Sequence, residues 1–442
     1  MGSPQSGDRI RFTASTPEGS VTHEGILLAP ATSEHMTVKL DNGYNVTFAE
    51  TEVTDISTIS TPNLSGENVV TTLTENPDLP EIWIIHTGGT IASKVDYVTG
   101  AVAARFEPEE LLDAIPELAN HARIRTMKLG NMWSDDIRAR HWNAMMRATK
   151  EAFDSGAVGV VITHGTDTMH YSAAAAAFAW AGCGGRPPGR IVFTGSQRSS
   201  DRGSTDGTEN LLAAVHWAAH GPAPTGENGD ASVIIMHAGS DDGSCAIMPG
   251  CSTRKFHSSK RNAFQGINAQ PLGMISVDRN GECQINMDVQ SPTRDVTTEP
   301  VAFDEGIRIL QLVAGAHMYA DQIELASNYD AILFHGSGLG HLPIEDPNGD
   351  SPENIAMREA VANYCAKGGT AVMATQCIHG PVHMDVYSKG RDQQELGIIG
   401  NHATTGPDAA LVKLHFLLSS NQDVQAGWNA NLCGENASSI FN

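Results

Sequence analysis

Three segments place hydroxyls and glycines directly after short apolar runs. Ile82-Trp-Ile-Ile-His86 leads into Thr87-Gly88-Gly89-Thr90, and Val160-Val-Ile-Thr-His164 into Gly165-Thr166-Asp167-Thr168. Ile191-Val-Phe-Thr194 leads into Gly195-Ser-Gln-Arg-Ser-Ser-Asp201. Paired glycines let a backbone turn sharply and approach a ligand closely. A Thr hydroxyl in such a turn can attack a carbonyl only if a neighbouring group takes its proton. A Lys whose pKa is lowered by burial, oriented by a carboxylate, can be that group. Lysines are scarce here, so Lys255 in Ser252-Thr-Arg-Lys-Phe-His257 stands out. Each residue also has a structural reading: Thr90 as a turn residue, Asp167 as the cap of the following helix, Lys255 as a surface cation. Absent are a Gly-x-Ser-x-Gly elbow, a Gly-x-x-x-x-Gly-Lys-[Ser/Thr] loop and a Gly-x-Gly-x-x-Gly turn after a strand. Serine-hydrolase and nucleotide-binding chemistry therefore lack their usual supports.

The elements that must position these residues follow from hydropathy patterning. Residues 82–85, 158–163, 191–194 and 233–236 read as buried strands, alternating with helical stretches at 108–114, 141–153 and 172–180. Such alternation indicates a mostly parallel, doubly wound α/β sheet, which gathers ligands beyond the carboxyl ends of its strands. A second alternating block has strands at 307–313, 331–335 and 370–375, with a helix at 353–367 ended by Gly368-Gly369. The first 55 residues read instead as short strands, with Asp41-Asn42-Gly43 supplying a hairpin turn between 36–40 and 44–48. The expected order is a small SH3-like β-barrel (1–55) acting as an accessory module, a Ser/Thr/Pro-rich linker (56–80), a large α/β domain with the chemistry (81–300) and a smaller α/β domain (301–442).

Composition narrows the function further. The 442 residues carry 51 acidic against 28 basic side chains, a formal net charge of −23. A surface of that sign repels phosphate backbones, so broad nucleic-acid binding by this chain is disfavoured. The excess is spread along the chain, as in proteins of high-salt organisms; a partner surface is the other explanation. Seven Cys without a Cys-x-x-Cys pair, and 18 scattered His without His-Glu-x-x-His, give no disulfide framework and no expected catalytic metal. No run approaches the ~20 apolar residues of a membrane span. The first residues lack the basic start and apolar stretch of a signal peptide, so a cytoplasmic location is expected.

Taken together, Thr87-Gly-Gly-Thr-Ile-Ala-Ser93 and Thr163-His-Gly-Thr-Asp-Thr-Met169 resemble the two signature motifs of the bacterial-type L-asparaginase family. The resemblance runs from about Glu81 to the end, including Gly406-Pro-Asp-Ala-Ala-Leu-Val-Lys-Leu. Asp96-Tyr97, Thr99 to Val102, Gln197 to Arg202 and Arg254 to Phe264, with the N-terminal barrel, resemble more closely the D-subunit branch of archaeal glutamyl-tRNA(Gln) amidotransferases. That resemblance implies an asparaginase-like pair of α/β domains and a glutaminase. Thr90 would be its nucleophile, and Thr166, Asp167 and Lys255 its proton relay. Ser134 would bind the substrate's carboxylate, Asp135 and Asp167 would hold its ammonium, and Tyr97 would close over it. It also implies no cofactor in this chain and a heteromeric complex containing a homodimer of it. The partner in that complex, the amidotransferase E subunit, would use ATP and Mg and carry the Glu-tRNA(Gln) that receives the ammonia. A free-standing L-asparaginase is the alternative.

Overall fold

The computed structural model describes residues 4, 8–16, 19–28, 34–40, 45–60, 70–74, 76–89, 91, 93–95, 102–104, 115–198 and 205–437. The chain divides into two compact units, Met1–Asn68 with Val95–Ala101, and Val69–Lys94 with Val102–Asn442.

In the first unit, β1 (Arg9–Thr16), β2 (Gly19–Leu27), β3 (His35–Leu40), β4 (Asn45–Ala49) and β5 (Val53–Ser60) form an antiparallel sheet in the order β4-β3-β2-β1-β5. Alternation along β1 explains its facing. Ile10, Phe12 and Ala14 are fully buried with Met36 and Val38, while Arg11 on the other face donates from Nε to Glu24 across the strand pair at 2.7 Å. The expected pairing of β3 with β4 is present; the Asp41-Asn42-Gly43 turn lies outside the described residues. The supposed linker is partly strand: β5 runs to Ser60, and β6 (Val70–Thr72) joins the main sheet of the second unit. Thr and Val favour extended backbone once a neighbouring strand offers hydrogen bonds, which outweighs the loop-like composition.

The second unit is built on β7 (Glu81–His86), β10 (Arg123–Lys128), β11 (Gly159–Thr163), β12 (Arg190–Thr194) and β13 (Val233–His237), all parallel in the order β10-β7-β11-β12-β13. A separate two-stranded ribbon joins β8 (Ser93–Val95) and β9 (Val102–Ala104). The full nine-stranded sheet is mixed, with antiparallel strands on both sides of this parallel centre. β6 adds antiparallel to β10, and β14 (Ser244–Pro249), β17 (Gly273–Val277) and β18 (Cys283–Met287) extend the other edge antiparallel. The reason is loop length: the short connection from His237 to Ser244 can turn a hairpin but cannot carry a parallel crossover. Between these strands β15 (Thr253–Lys255) and β16 (Phe264–Gly266) form a small hairpin.

The second parallel sheet, β19 (Ile309–Val313), β20 (Ala331–Gly336) and β21 (Thr370–Thr375), has the helix Pro352–Ala366 as its last crossover. Gly368, at φ +86°, ends that helix as expected. The two sheets share a core. The helix Met169–Ala181 is buried on nearly every side, and its Phe178 stacks on Phe416 of the helix Pro407–Ser419 at 5.7 Å between ring centres. That core runs from Trp83 and Ile85 through both helices to Leu333 and Val372. The expected helix at 108–114 lies outside the described residues. Among the described residues no helix is long and apolar enough to cross a membrane.

Candidate active site

Parallel register brings the three motif-bearing strand ends level. His86 pairs with Lys128 on one side and Thr163 on the other, and Thr163 pairs with Thr194. The turns that follow emerge side by side at the carboxyl edge, where an open sheet places its ligands. Thr87 ties the first turn to the second, donating from N and Oγ1 to the Thr163 carbonyl at 3.1 and 2.9 Å. Gly88 and Gly89 then take φ of +124° and +93°. A Cβ on Gly88 would lie 2.3 Å from the Met132 carbonyl oxygen, and one on Gly89 2.6 Å from the Gly165 nitrogen. The glycines are therefore demanded twice over, by conformation and by the closeness of the neighbouring loops.

Buried imidazoles brace the same edge. His86 Nδ1 lies 2.7 Å from Thr163 Oγ1. His164 bonds the Gly165 carbonyl at 2.7 Å and Ser172 Oγ at 2.8 Å. Burial lowers both to a pKa of about 4, aided at His86 by the charge of Lys128, so both are neutral scaffolding at ordinary pH. The third turn hangs on Asp206, fully buried, which accepts from Ser196 Oγ at 2.7 Å, from the nitrogens of Gln197 and Arg198 at 3.0 and 3.1 Å, and from Asn210 at 3.1 Å.

The β15–β16 hairpin carries Lys255 onto the second turn. Its Nζ donates to Thr166 Oγ1 at 2.9 Å and to Asp167 Oδ1 at 2.7 Å. Thr166 is buried and the Lys255 side chain 9 % exposed, whereas Asp167 is 69 % exposed. Asp167 is not the helix cap: Thr168 occupies that position, with no capping bond, and its Oγ1 donates to the Ser134 carbonyl. Three of the expected site residues thus meet in one hydrogen-bonded group. Ser134, buried, stands against Gly165, where an added Cβ would come within 2.8 Å of its own. Asp135 does not join them; it is exposed and lines a neighbouring cavity of about 540 Å³ with Thr168, Tyr171 and Trp142. Thr90 and Tyr97 lie outside the described residues.

A smaller cavity of about 290 Å³ opens onto Asp167 and Lys255, and its far wall was not foreseen. Asp408 there accepts from Tyr171 Oη at 2.8 Å and faces Arg254 Nε at 3.1 Å and His170 Nε2 at 3.3 Å. Burial would raise the Asp408 pKa, but His170, Tyr171 and Arg254 together hold it below the usual value. Burial and Asp408 raise the Tyr171 phenol, which stays a donor. The available signal was Asp408 just after Gly406-Pro407, which reads equally as a first-turn acid matched to the helix dipole.

The chain is similar to known proteins along most of its length. Residues 81–290 match the family described as asparaginase, N-terminal, and residues 307–427 the glutaminase/asparaginase C-terminal domain. Relatives named as the D subunit of glutamyl-tRNA(Gln) amidotransferase are 33 % identical. The one from Halobacterium salinarum aligns over 97 % of this chain and 96 % of its own length, and the one from Pyrococcus abyssi over 95 % and 91 %. Among solved structures, the thermostable L-asparaginase from Thermococcus kodakarensis superposes with TM-score 0.65 at 27 % identity, covering 81 % of this chain and 100 % of that one. L-asparaginase I from Vibrio cholerae gives 0.63 at 25 %, covering 81 % and 99 %.

Proposed function

Because the chain belongs to the asparaginase family, in the branch of the glutamyl-tRNA(Gln) amidotransferase D subunits, we propose that it hydrolyses glutamine to supply ammonia for tRNA-dependent amidation. The observation that carries this is Lys255 Nζ, within hydrogen-bond reach of both Thr166 Oγ1 and Asp167 Oδ1 at the exit of β11. A hydroxyl, an amine and a carboxylate in series form a proton relay.

In this reading Thr90 attacks the side-chain amide of glutamine. Lys255, oriented by Asp167, exchanges protons with Thr166, and the relay activates first the attacking hydroxyl and then the water that releases glutamate. Ammonia leaves between the two steps. Backbone N–H groups of the first and second turns stabilise the oxyanion, each worth about 3 kcal/mol. Ser134 holds the α-carboxylate, Asp167 the α-ammonium, and Tyr97 closes the cleft. The glutaminase steps use no cofactor held by this chain. The partner protein, the amidotransferase E subunit, uses ATP and Mg to convert Glu-tRNA(Gln) to Gln-tRNA(Gln), which leaves the acidic surface of this chain free of the main tRNA contacts. The N-terminal sheet closes as a small SH3-like barrel and serves assembly, two copies of the chain pair within the complex, and the complex is cytoplasmic.

A free-standing L-asparaginase is the second reading, favoured by the solved asparaginases that superpose. They cover 81 % of the chain, however, while the D-subunit relatives cover up to 98 % and so take in the N-terminal strands. The test is ammonia release from glutamine by the chain alone and its transfer to Glu-tRNA(Gln) with the partner added. Thr90→Ala is expected to abolish both. Undiminished glutaminase activity in that variant rejects the nucleophile, and asparagine turnover indifferent to partner and tRNA favours the asparaginase.

A further inference from the structure

At the sheet edge away from the candidate active site, three residues far apart in sequence converge. His121 follows the short helix Pro116–Asn120, His216 lies on the helix Gly207–His220, and Cys283 opens β18. One donor atom from each, two imidazole nitrogens and a thiol sulfur, lies within 4.8 Å of the others. His121 is buried, His216 and Cys283 half-buried.

His121 is held as a metal-ligating histidine is. His121 donates from Nε2 to the Gly281 carbonyl at 2.8 Å, which leaves the lone pair of a neutral ring on Nδ1. That Nδ1 faces His216 Nδ1 at 3.1 Å. A ligating histidine is commonly fixed this way, its far N–H held by a backbone carbonyl. His220 donates from Nε2 to the His121 backbone carbonyl at 2.9 Å and so fixes the main chain that carries the ring. The Cys283 thiol also points at the Gly281 carbonyl, 3.6 Å away. Gly281 itself, at φ +78°, lets the β17–β18 turn come so near the preceding helix that a Cβ there would lie 2.9 Å from Glu117 Cβ.

We propose that His121, His216 and Cys283 form a zinc site that staples the β17–β18 hairpin to the helix Gly207–His220. Two imidazoles and one thiolate suit a borderline-soft tetrahedral ion, with water as fourth ligand. Binding releases the Cys283 proton to solvent, and the Nδ1 proton shared by the two histidines moves to His216 Nε2. The site stands away from Lys255 and Thr166, so its role is structural.

The full chain, stripped with a chelator, is titrated with cobalt(II) as the spectroscopic stand-in and zinc as competitor. Of the three clusters of possible ligands among the described residues, this one alone contains sulfur, so a thiolate-to-cobalt charge-transfer band reports it and not the others. We expect one cobalt per chain with that band, its displacement by zinc, and a rise in Tm with zinc. Cys283→Ser is expected to lose the band while keeping native circular dichroism and the ability to hydrolyse glutamine. His121→Gln and His216→Gln are expected to weaken binding beyond the ~10–100-fold typical of a lost supporting group. Cobalt bound without the band, a band surviving in Cys283→Ser, or affinities in both His variants within about threefold of the parent would overturn the site.

Discussion

Lys255→Met separates chemistry from folding more cleanly than any other substitution in the candidate active site. The Lys255 side chain is 9 % exposed, so a methionine of similar length fills the same space, and such volume-conserving exchanges usually cost less than ~1.5 kcal/mol. What is lost is an ion pair whose other member, Asp167, is 69 % exposed and therefore well solvated when left alone. Pairs with so exposed a member are worth about 1 kcal/mol or less. Stability should thus change by no more than about 1–2 kcal/mol in either direction. The relay, in contrast, loses the one group that, among the described residues, is placed to exchange protons with Thr166. General acid–base groups contribute roughly 10²–10⁴ in rate, or about 3–5 kcal/mol of barrier. Ammonia release at saturating glutamine should fall at least about 100-fold in kcat while Tm moves by only a few degrees. A variant retaining kcat to within about threefold would remove Lys255 from the mechanism. A collapse of Tm large enough to explain the lost activity would show that the residue acts through folding instead.

Other perturbations test the scaffold. Gly89→Ala should destabilise the chain by about 2 kcal/mol or more and abolish activity, because φ is +93° and the added Cβ meets the Gly165 backbone; a fully active, equally stable variant, by ammonia assay and thermal melt, would contradict the packing of the first two turns. Asp206→Ala should cost about 3 kcal/mol or more in a denaturant melt, since the carboxylate accepts from Ser196, Gln197, Arg198 and Asn210 inside the protein. Lys413→Ala should cost about 3–5 kcal/mol by leaving Glu435, its fully buried partner at 2.6 Å, without a counter-charge. For pH, the folded pKa values of His86 and His164, about 4, lie below the unfolded value of 6.5, so their stabilisation is complete above pH 6.5 and is lost as pH falls toward 4. Each should remove about 3 kcal/mol across that window. Unfolding free energies that are flat from pH 7 to pH 4 would show that neither ring is held neutral.

The buried strands were legible from the chain's own residue order. β7, β11, β12, β13, β20 and β21 each carry a short apolar run bounded by turn residues, the pattern of a buried strand, and the glycine- and hydroxyl-rich turns after three of them marked the working edge. Thr166, Asp167 and Lys255 were named from motif and family likeness, and each alone kept an ordinary structural reading. Contact across the fold decided between these: Asp167 leaves the capping position to Thr168 and pairs with a lysine 88 residues away. Sheet direction at the edges was also beyond local pattern, because apolar alternation is the same in parallel and antiparallel strands and only the connection reveals which one forms. The buried polar groups were hidden most completely. Asp408, Asp206 and Lys413 are ordinarily surface residue types whose burial is tolerated only because partners from distant segments satisfy them, and the meeting of His121, His216 and Cys283 is likewise settled by tertiary packing alone.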